Sequence, residues 1–190
     1  YKYDEENNLM PITINGDGTI TGLSVGGLPD GCVDADTLAS GAASGSKIVL
    51  PTGTVVQAKH LRFTNDLNGT AGSITDVTGF NLSITPTSAS NDIIIILHAT
   101  MGMNCDGRMG LKRNGSLIEE YILGTGRSNL EHDVGTYCAT YKDSPNSASA
   151  VTYQVTARAT GCGQNVYINE PQSGDATNGK SGMTLLEVKG

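Results

Sequence analysis

Tryptophan is absent from this chain, phenylalanine occurs twice, and charged side chains make up only 16% of its 190 residues. Each shortage excludes something. Helical bundles and coiled coils are built largely from Ala, Glu, Lys, Leu and Arg, and a chain this poor in charge does not supply them. Basic residues are scarcer still, 12 against 19 acidic ones, so 12 − 19 gives a net charge of −7. Such a chain collects little of the counterion-release free energy that drives nucleic-acid binding, and an anionic membrane surface repels it. Nucleic acid is therefore not expected as a partner. Long apolar runs are missing too: the longest, Ile93 to Leu97, is far short of the ~20 residues of a spanning helix. No membrane insertion is expected, and the amino end lacks the charged-then-apolar profile of a signal peptide.

Metal and redox motifs are equally sparse. Cys32, Cys105, Cys138 and Cys162 form no CxxC pair, and no histidine stands at a ligand-like spacing from them, so a zinc site is not expected. They read as buried free thiols acting as small hydrophobes, with a disulfide among Cys105, Cys138 and Cys162 as the alternative. No cofactor is implied.

What the chain does contain is glycine, at 25 positions, together with abundant Ser, Thr, Asn, Val and Ile. This composition predicts an all-β protein with one sizeable core. Its texture changes along the chain. From Ile12 to about Ser46 the chain is Gly-rich and lightly patterned, with Ile12, Ile14, Ile20, Leu23, Val25 and Leu28 spread among turns such as Asn15-Gly16-Asp17-Gly18. Thr19 to Val25 is a candidate strand, and Asp34 is placed to cap one helical turn through Leu38. So few apolar residues cannot form a core alone. Residues 1–46 are thus an arm whose apolar positions dock on another surface or on another copy.

Residues 47–190 show the regular signals of an antiparallel β-sandwich. Candidate strands are Val55 to Phe63, Ser73 to Thr78, Phe80 to Thr85, Asp92 to Met101, Arg108 to Arg113, Ser116 to Ile122, Val134 to Tyr141, Ala150 to Ala159, Asn165 to Asn169 and Gly182 to Val188. Asn114-Gly115 supplies the two positive φ values of a type I′ hairpin, which sets Leu111 opposite Ile118. The unalternating run Asp92 to Leu97 predicts a strand covered on both faces. Val151, Tyr153, Val155 and Ala157 alternate with Thr152, Gln154, Thr156 and Arg158, the pattern of a half-buried strand with a polar outer face. With so few aromatics the core must be aliphatic, helped by Tyr137, Tyr141, Tyr153 and Tyr167, and such a sandwich gains from association.

Catalytic patterns do not survive scrutiny. Gly22-Leu23-Ser24-Val25-Gly26 matches GxSxG, but a nucleophile elbow needs a helix straight after the serine, and Gly26-Gly27-Leu28-Pro29 follows. Glu131-His132-Asp133 places adjacent side chains in different directions, which suits a solvated tip better than an acid–base pair. His98 closes an apolar run and reads as a satisfied buried histidine. Around Asn15-Gly16-Asp17-Gly18 a calcium loop would need acidic ligands where Thr13 and Ser24 stand. The chain is not expected to be an enzyme.

The stretch MPITINGDGTITGLSVGGLPDGCVDADTLA, Met10 to Ala39, resembles the amino terminus of small fibre or appendage proteins of tailed bacteriophages, especially those of marine bacteria. GLPDG followed by VDADTLA is its specific part. ITDVTGFNLSITPTSASNDIIIILHA, the hairpin around LKRNGS, DSPNSASAVTYQVTA and the closing GMTLLEVKG resemble the β-domain of those proteins in the same order. The likeness runs from Met10 onward and favours Met10 as the natural start; Tyr1 to Leu9 depart from the pattern. What the resemblance implies is a virion structural protein at the particle surface: a tail fibre or appendage whose arm docks on other virion proteins. Its sandwich would be jelly-roll-like, a homotrimer facing outward for host-surface attachment. The cell-surface ligand implied is a glycan, met by loops carrying Asp106, Arg108, Arg127 and His132. Two other readings share these parts: a capsid decoration or head-fibre protein, and a cellular carbohydrate-binding adhesin module. The missing Trp counts against the adhesin.

Overall fold

The computed structural model describes residues 13–14, 16, 20–21, 49–70, 72–103, 106–124, 133–160, 165–169 and 180–190. The chain divides into two compact units, Tyr1–Val49 and Leu50–Gly190. In the first, β1 (Thr13–Ile14) and β2 (Ile20–Thr21) pair antiparallel, with Ile14 opposite Ile20 and Gly16 in the turn between them. The other arm positions, Ile12, Leu23, Val25 and Leu28, and the capped turn at Asp34 lie outside the described residues.

The second unit is all-β, and among its described residues there is no helix. Its strands are β3 (Val55–Phe63), β4 (Leu67–Thr70), β5 (Thr75–Ile84), β6 (Asp92–Met103), β7 (Asp106–Arg113), β8 (Ser116–Gly124), β9 (Asp133–Asp143), β10 (Val151–Thr160), β11 (Asn165–Ile168) and β12 (Ser181–Val188). One sheet has the order β5-β10-β7-β8. In the other, β3-β12-β6-β11-β4 are neighbours, and β9 pairs with β6. Since β12 pairs with Asp92 to His98 of β6 and β11 with Met101 to Met103, the two share one side of that strand, and β9 occupies the other. All these pairings are antiparallel.

One core joins the sheets. Val77, Phe80 and Ile84 of β5, Met109 and Leu111 of β7, and Val151, Tyr153, Val155 and Ala157 of β10 meet Ile93, Ile95 and Leu97 of β6 and Met183 and Leu185 of β12. Period-two alternation puts these residues on a single face of each strand. The chain's two phenylalanines, Phe63 and Phe80, stack at a centroid distance of 4.6 Å.

Two polar nodes lock this core. Asn169, fully buried and in the left-handed region at φ 61°, donates from Nδ2 to the carbonyls of Phe63 and Asn65 and accepts from Ser181 Oγ. Its backbone N–H donates to Thr100 O, so one side chain and one amide tie β11 to β3, β6 and β12. Across the sheets, Tyr153 Oη donates to Asp143 Oδ2 at 2.6 Å while Arg113 Nη1 donates to both oxygens of that carboxylate.

Four sequence expectations need correction. Ser73 to Thr78 and Phe80 to Thr85 are one strand, β5, interrupted by a bulge at Gly79, whose φ of 81° suits glycine. Gln154 of β10 plugs that bulge, donating from Nε2 to the carbonyls of Val77 and Phe80. In the Asn114-Gly115 hairpin both residues do take positive φ, 47° and 86°. A second bulge, at Ile118, moves the register so that Leu111 faces Glu119 instead of Ile118. Finally, Ile93, Ile95 and Leu97 are buried, but Ile94 is half-buried and Ile96 is 41% exposed. Among the described residues of Leu50–Gly190, one face of β6 is covered by the core and the other is not. Cys138 is likewise free and exposed on β9, not buried; the other cysteines lie outside the described residues.

Candidate functional site

The outer face of the four-stranded sheet concentrates charge on three neighbouring strands. Antiparallel register sets Arg158 of β10 opposite Arg108 of β7, and Gly110 opposite both Thr156 of β10 and Glu120 of β8. Two guanidiniums are thereby brought beside one carboxylate. Arg158 Nη2 donates to Glu120 Oε2 at 2.6 Å and Arg108 Nη1 to the same oxygen at 3.1 Å. Burial alone would raise the pKa of Glu120, but the hydrogen bonds and charges of Arg158 and Arg108 outweigh it and hold the carboxyl below the usual glutamate range.

Beside this triad Lys112 of β7 reaches across β10 to Asp76 of β5, with Nζ to Oδ1 at 2.6 Å. Thr156 lies in register between Asp76 and Gly110, and it is 1% exposed despite facing outward. Glycine at position 110 is what lets it settle, because a Cβ there would stand 2.4 Å from Thr156 Oγ1. The charged side chains therefore form a layer on top of the sheet.

That layer is incompletely satisfied. The Nε atoms of Arg108 and Arg158 are buried and have no hydrogen-bond partner among the described residues, a condition that costs about 1–3 kcal/mol per group. Among the described side chains of this face, three cations, Arg108, Arg158 and Lys112, meet two carboxylates, Glu120 and Asp76, an excess of 3 − 2, or one positive charge. At the β8 edge, burial and the neighbouring Glu119 and Tyr141 push the Tyr121 hydroxyl up to about 12.

The expected contact loops are brought together only in part. Arg108 is no loop residue: it sits in β7, partly buried and ion-paired. Asp106 begins the same strand. Arg127 and His132 lie outside the described residues, as does the GxSxG stretch. His98 is half-buried on the outer face of the other sheet, where its ring lies over Gly182. Glu120, Arg158, Lys112 and Asp76 escaped sequence reasoning because their proximity depends on which strands are neighbours. The polar alternation of β10 marked Arg158 as outward, and that was the available signal. Among the described residues no group of His, Cys, Asp and Glu side chains could hold a metal ion.

No family model matches the chain, and no curated protein matches it. Among solved structures it is similar to the crystal structure of dimeric latent PorU from Porphyromonas gingivalis, at 8% identity over 73% of this chain and 13% of that one, with a TM-score of 0.40. It is also similar to the structure of infectious bursal disease virus Gt strain, at 8% identity over 77% of this chain and 45% of the other, with a TM-score of 0.27. The chain thus spans less than half the length of either. At TM-scores this low, neither similarity carries an argument.

Proposed function

We propose that the protein is a virion structural protein, a tail fibre or appendage in which residues 1–46 are the attachment arm and the β-sandwich is a trimeric jelly-roll head for host-surface attachment. The observation that supports it most is the strand order. Leaving aside the short pair β4 and β11, eight strands form two sets of four, β3-β12-β6-β9 and β5-β10-β7-β8. The connections from β3 to β5, β5 to β6, β6 to β7, β8 to β9, β9 to β10 and β10 to β12 each change sheet, while β7 to β8 is a hairpin. Eight strands wound as two Greek keys make a jelly roll, an architecture of viral capsid and lectin domains.

Binding, not catalysis, is the activity that fits. The buried ionisable groups Asp143, Tyr153 and Glu187 are engaged in hydrogen bonds that join strands or tie the loop before β6 to β12. Three copies of a weak site on one head raise avidity without new contacts. The test is immunogold electron microscopy of virions from the genome that carries this coding sequence, with antibody against residues 50–190. Label at the tail or its appendages is the expected result. Label spread over the capsid would replace the tail assignment with a head-fibre one, and unlabelled particles would overturn the virion reading altogether.

A further inference from the structure

We propose that the outer face of the β5-β10-β7-β8 sheet binds the oxyanion of an acidic saccharide, a uronic-acid carboxylate or a sulfate ester, through Arg108 and Arg158. The oxyanion site stands on geometry; its assignment to a saccharide rests on the attachment reading above.

Three observations converge on the anion. Among the described side chains, the two guanidiniums share a single oxygen of a single carboxylate, Glu120 Oε2. Asp76 is taken up by Lys112 and so supplies no counter-charge to the Arg pair. Both Nε–H groups are buried without a partner, and buried N–H groups in folded proteins are nearly always paired. A guanidinium recognises a carboxylate or sulfate by two parallel N–H···O bonds. A modest rotation of either side chain, with side-chain exposures of 32% for Arg108 and 27% for Arg158, turns its Nε edge toward solvent and offers that fork.

Gly110 adds no side chain beside the pair, and the flanking Thr160 and Gln154 of β10 are polar and half-buried. Glu120 then acts as a resident competitor: it bridges the two arginines when the face is empty and yields part of their hydrogen bonding to the incoming anion.

The competitor role separates a binding site from a structural ion-pair network. The full-length chain is titrated, by NMR of the arginine Nε–H signals and by calorimetry, with a heparin hexasaccharide, a galacturonic acid hexamer and neutral maltohexaose. The expected result is that at least one acidic probe binds ten-fold or more tighter than maltohexaose and shifts the Nε–H signals of Arg108 and Arg158. Arg158→Gln should lower that affinity at least ten-fold. Arg158→Lys, which keeps the charge and the fold, should lower it several-fold through loss of the fork. Glu120→Gln should raise affinity several-fold by removing the competing charge. The heparin and galacturonate arms distinguish sulfate from carboxylate. Two results would overturn the proposal: neither acidic probe outbinding maltohexaose, or Glu120→Gln weakening binding in parallel with Arg158→Gln, the behaviour of a mere scaffold. Either outcome leaves the virion-imaging experiment untouched, so the two readings fail separately.

Discussion

At the scale of single residues, the fold depends on a few buried polar groups whose partners come from distant parts of the chain. Glu187 is fully buried near the end of β12, where the loop before β6 closes over it. Thr87 N at 2.6 Å, Thr87 Oγ1 at 2.7 Å and Asn91 Nδ2 at 2.6 Å all donate to its Oε1, and Gln57 Nε2 donates to Oε2 at 3.4 Å. Burial raises its pKa, yet the hydrogen bonds from Asn91 and Thr87 prevail and hold it below the usual glutamate range. A carboxylate whose folded pKa lies below its unfolded value stabilises the fold above that unfolded value, about 4.3 for glutamate, and the contribution is lost as pH falls through the folded pKa. Stability measured by urea unfolding should therefore be flat above about pH 5 and decline below about pH 4. Glu187→Gln should cost about 1–2 kcal/mol at pH 7, and the difference from the unsubstituted protein should be smaller at pH 3, because the carboxylate's contribution fades as pH falls below its unfolded pKa. An equal loss at both pH values would show that packing at this position, rather than the carboxylate charge, is what matters.

At the scale of elements, glycine and asparagine decide where strands turn and how closely they approach. Asn114 both shapes the type I′ hairpin and extends the ladder, since its N–H donates to Thr152 O and its Oδ1 accepts from Thr152 N, each at 2.9 Å. Two glycines of the same β-hairpin should respond differently to alanine. Gly115 has open space around it but a φ of 86°, so Gly115→Ala should cost about 1 kcal/mol in backbone strain. Gly110→Ala would bring a Cβ to 2.4 Å from Thr156 Oγ1, 3.1 Å from Leu117 Cδ1 and 3.2 Å from Glu119 O, and overpacking of this kind costs about 1–3 kcal/mol. Chemical denaturation of the two variants, with Gly110→Ala the less stable, checks the order. Much of this level was legible in the sequence: apolar runs, period-two alternation and the Asn-Gly signal marked β6 to β12, β5 was read as two strands, and the bounds of β3 agree to the residue. The short strand β4 was not, because Leu67–Thr70 carries one apolar residue and is defined by its pairing with β11. Bulges at Gly79 and Ile118 were not legible either, since an inserted residue shifts register without altering composition. The arginine pair failed for a related reason: alternation assigns a face to each residue, but strand order assigns its neighbours.

At the scale of the whole molecule, one sheet face lacks a partner among the described residues of its own unit. Ile94 and Ile96 of β6, Leu186 and Val188 of β12 and Ala58 and Val55 of β3 point away from the core, and Ile96 and Val55 are 41% and 51% exposed. A contiguous apolar patch on a soluble protein marks an interaction surface. The electrostatics of the patch also permit self-association. Repulsion between copies of a chain of net charge −7 opposes contact wherever carboxylates gather, but on this face Asp92 is ion-paired with Lys142 at 2.6 Å. An apolar centre bordered by His60, Arg62, Lys142 and the threonines of β9 has the layout of an interface core and its polar rim. The trimer proposed above should bury this face. Light scattering of the full chain should then give about three times 19.7 kDa, and Ile96→Glu should reduce the mass to that of a monomer without unfolding the sandwich, because the outward position leaves Ile95 and Leu97 in the core. Thr152→Glu, on the outer face of the opposite sheet, should leave the mass unchanged. A monomer from the unsubstituted chain would remove the trimer, and a trimer that tolerated Ile96→Glu would move its interface off this face.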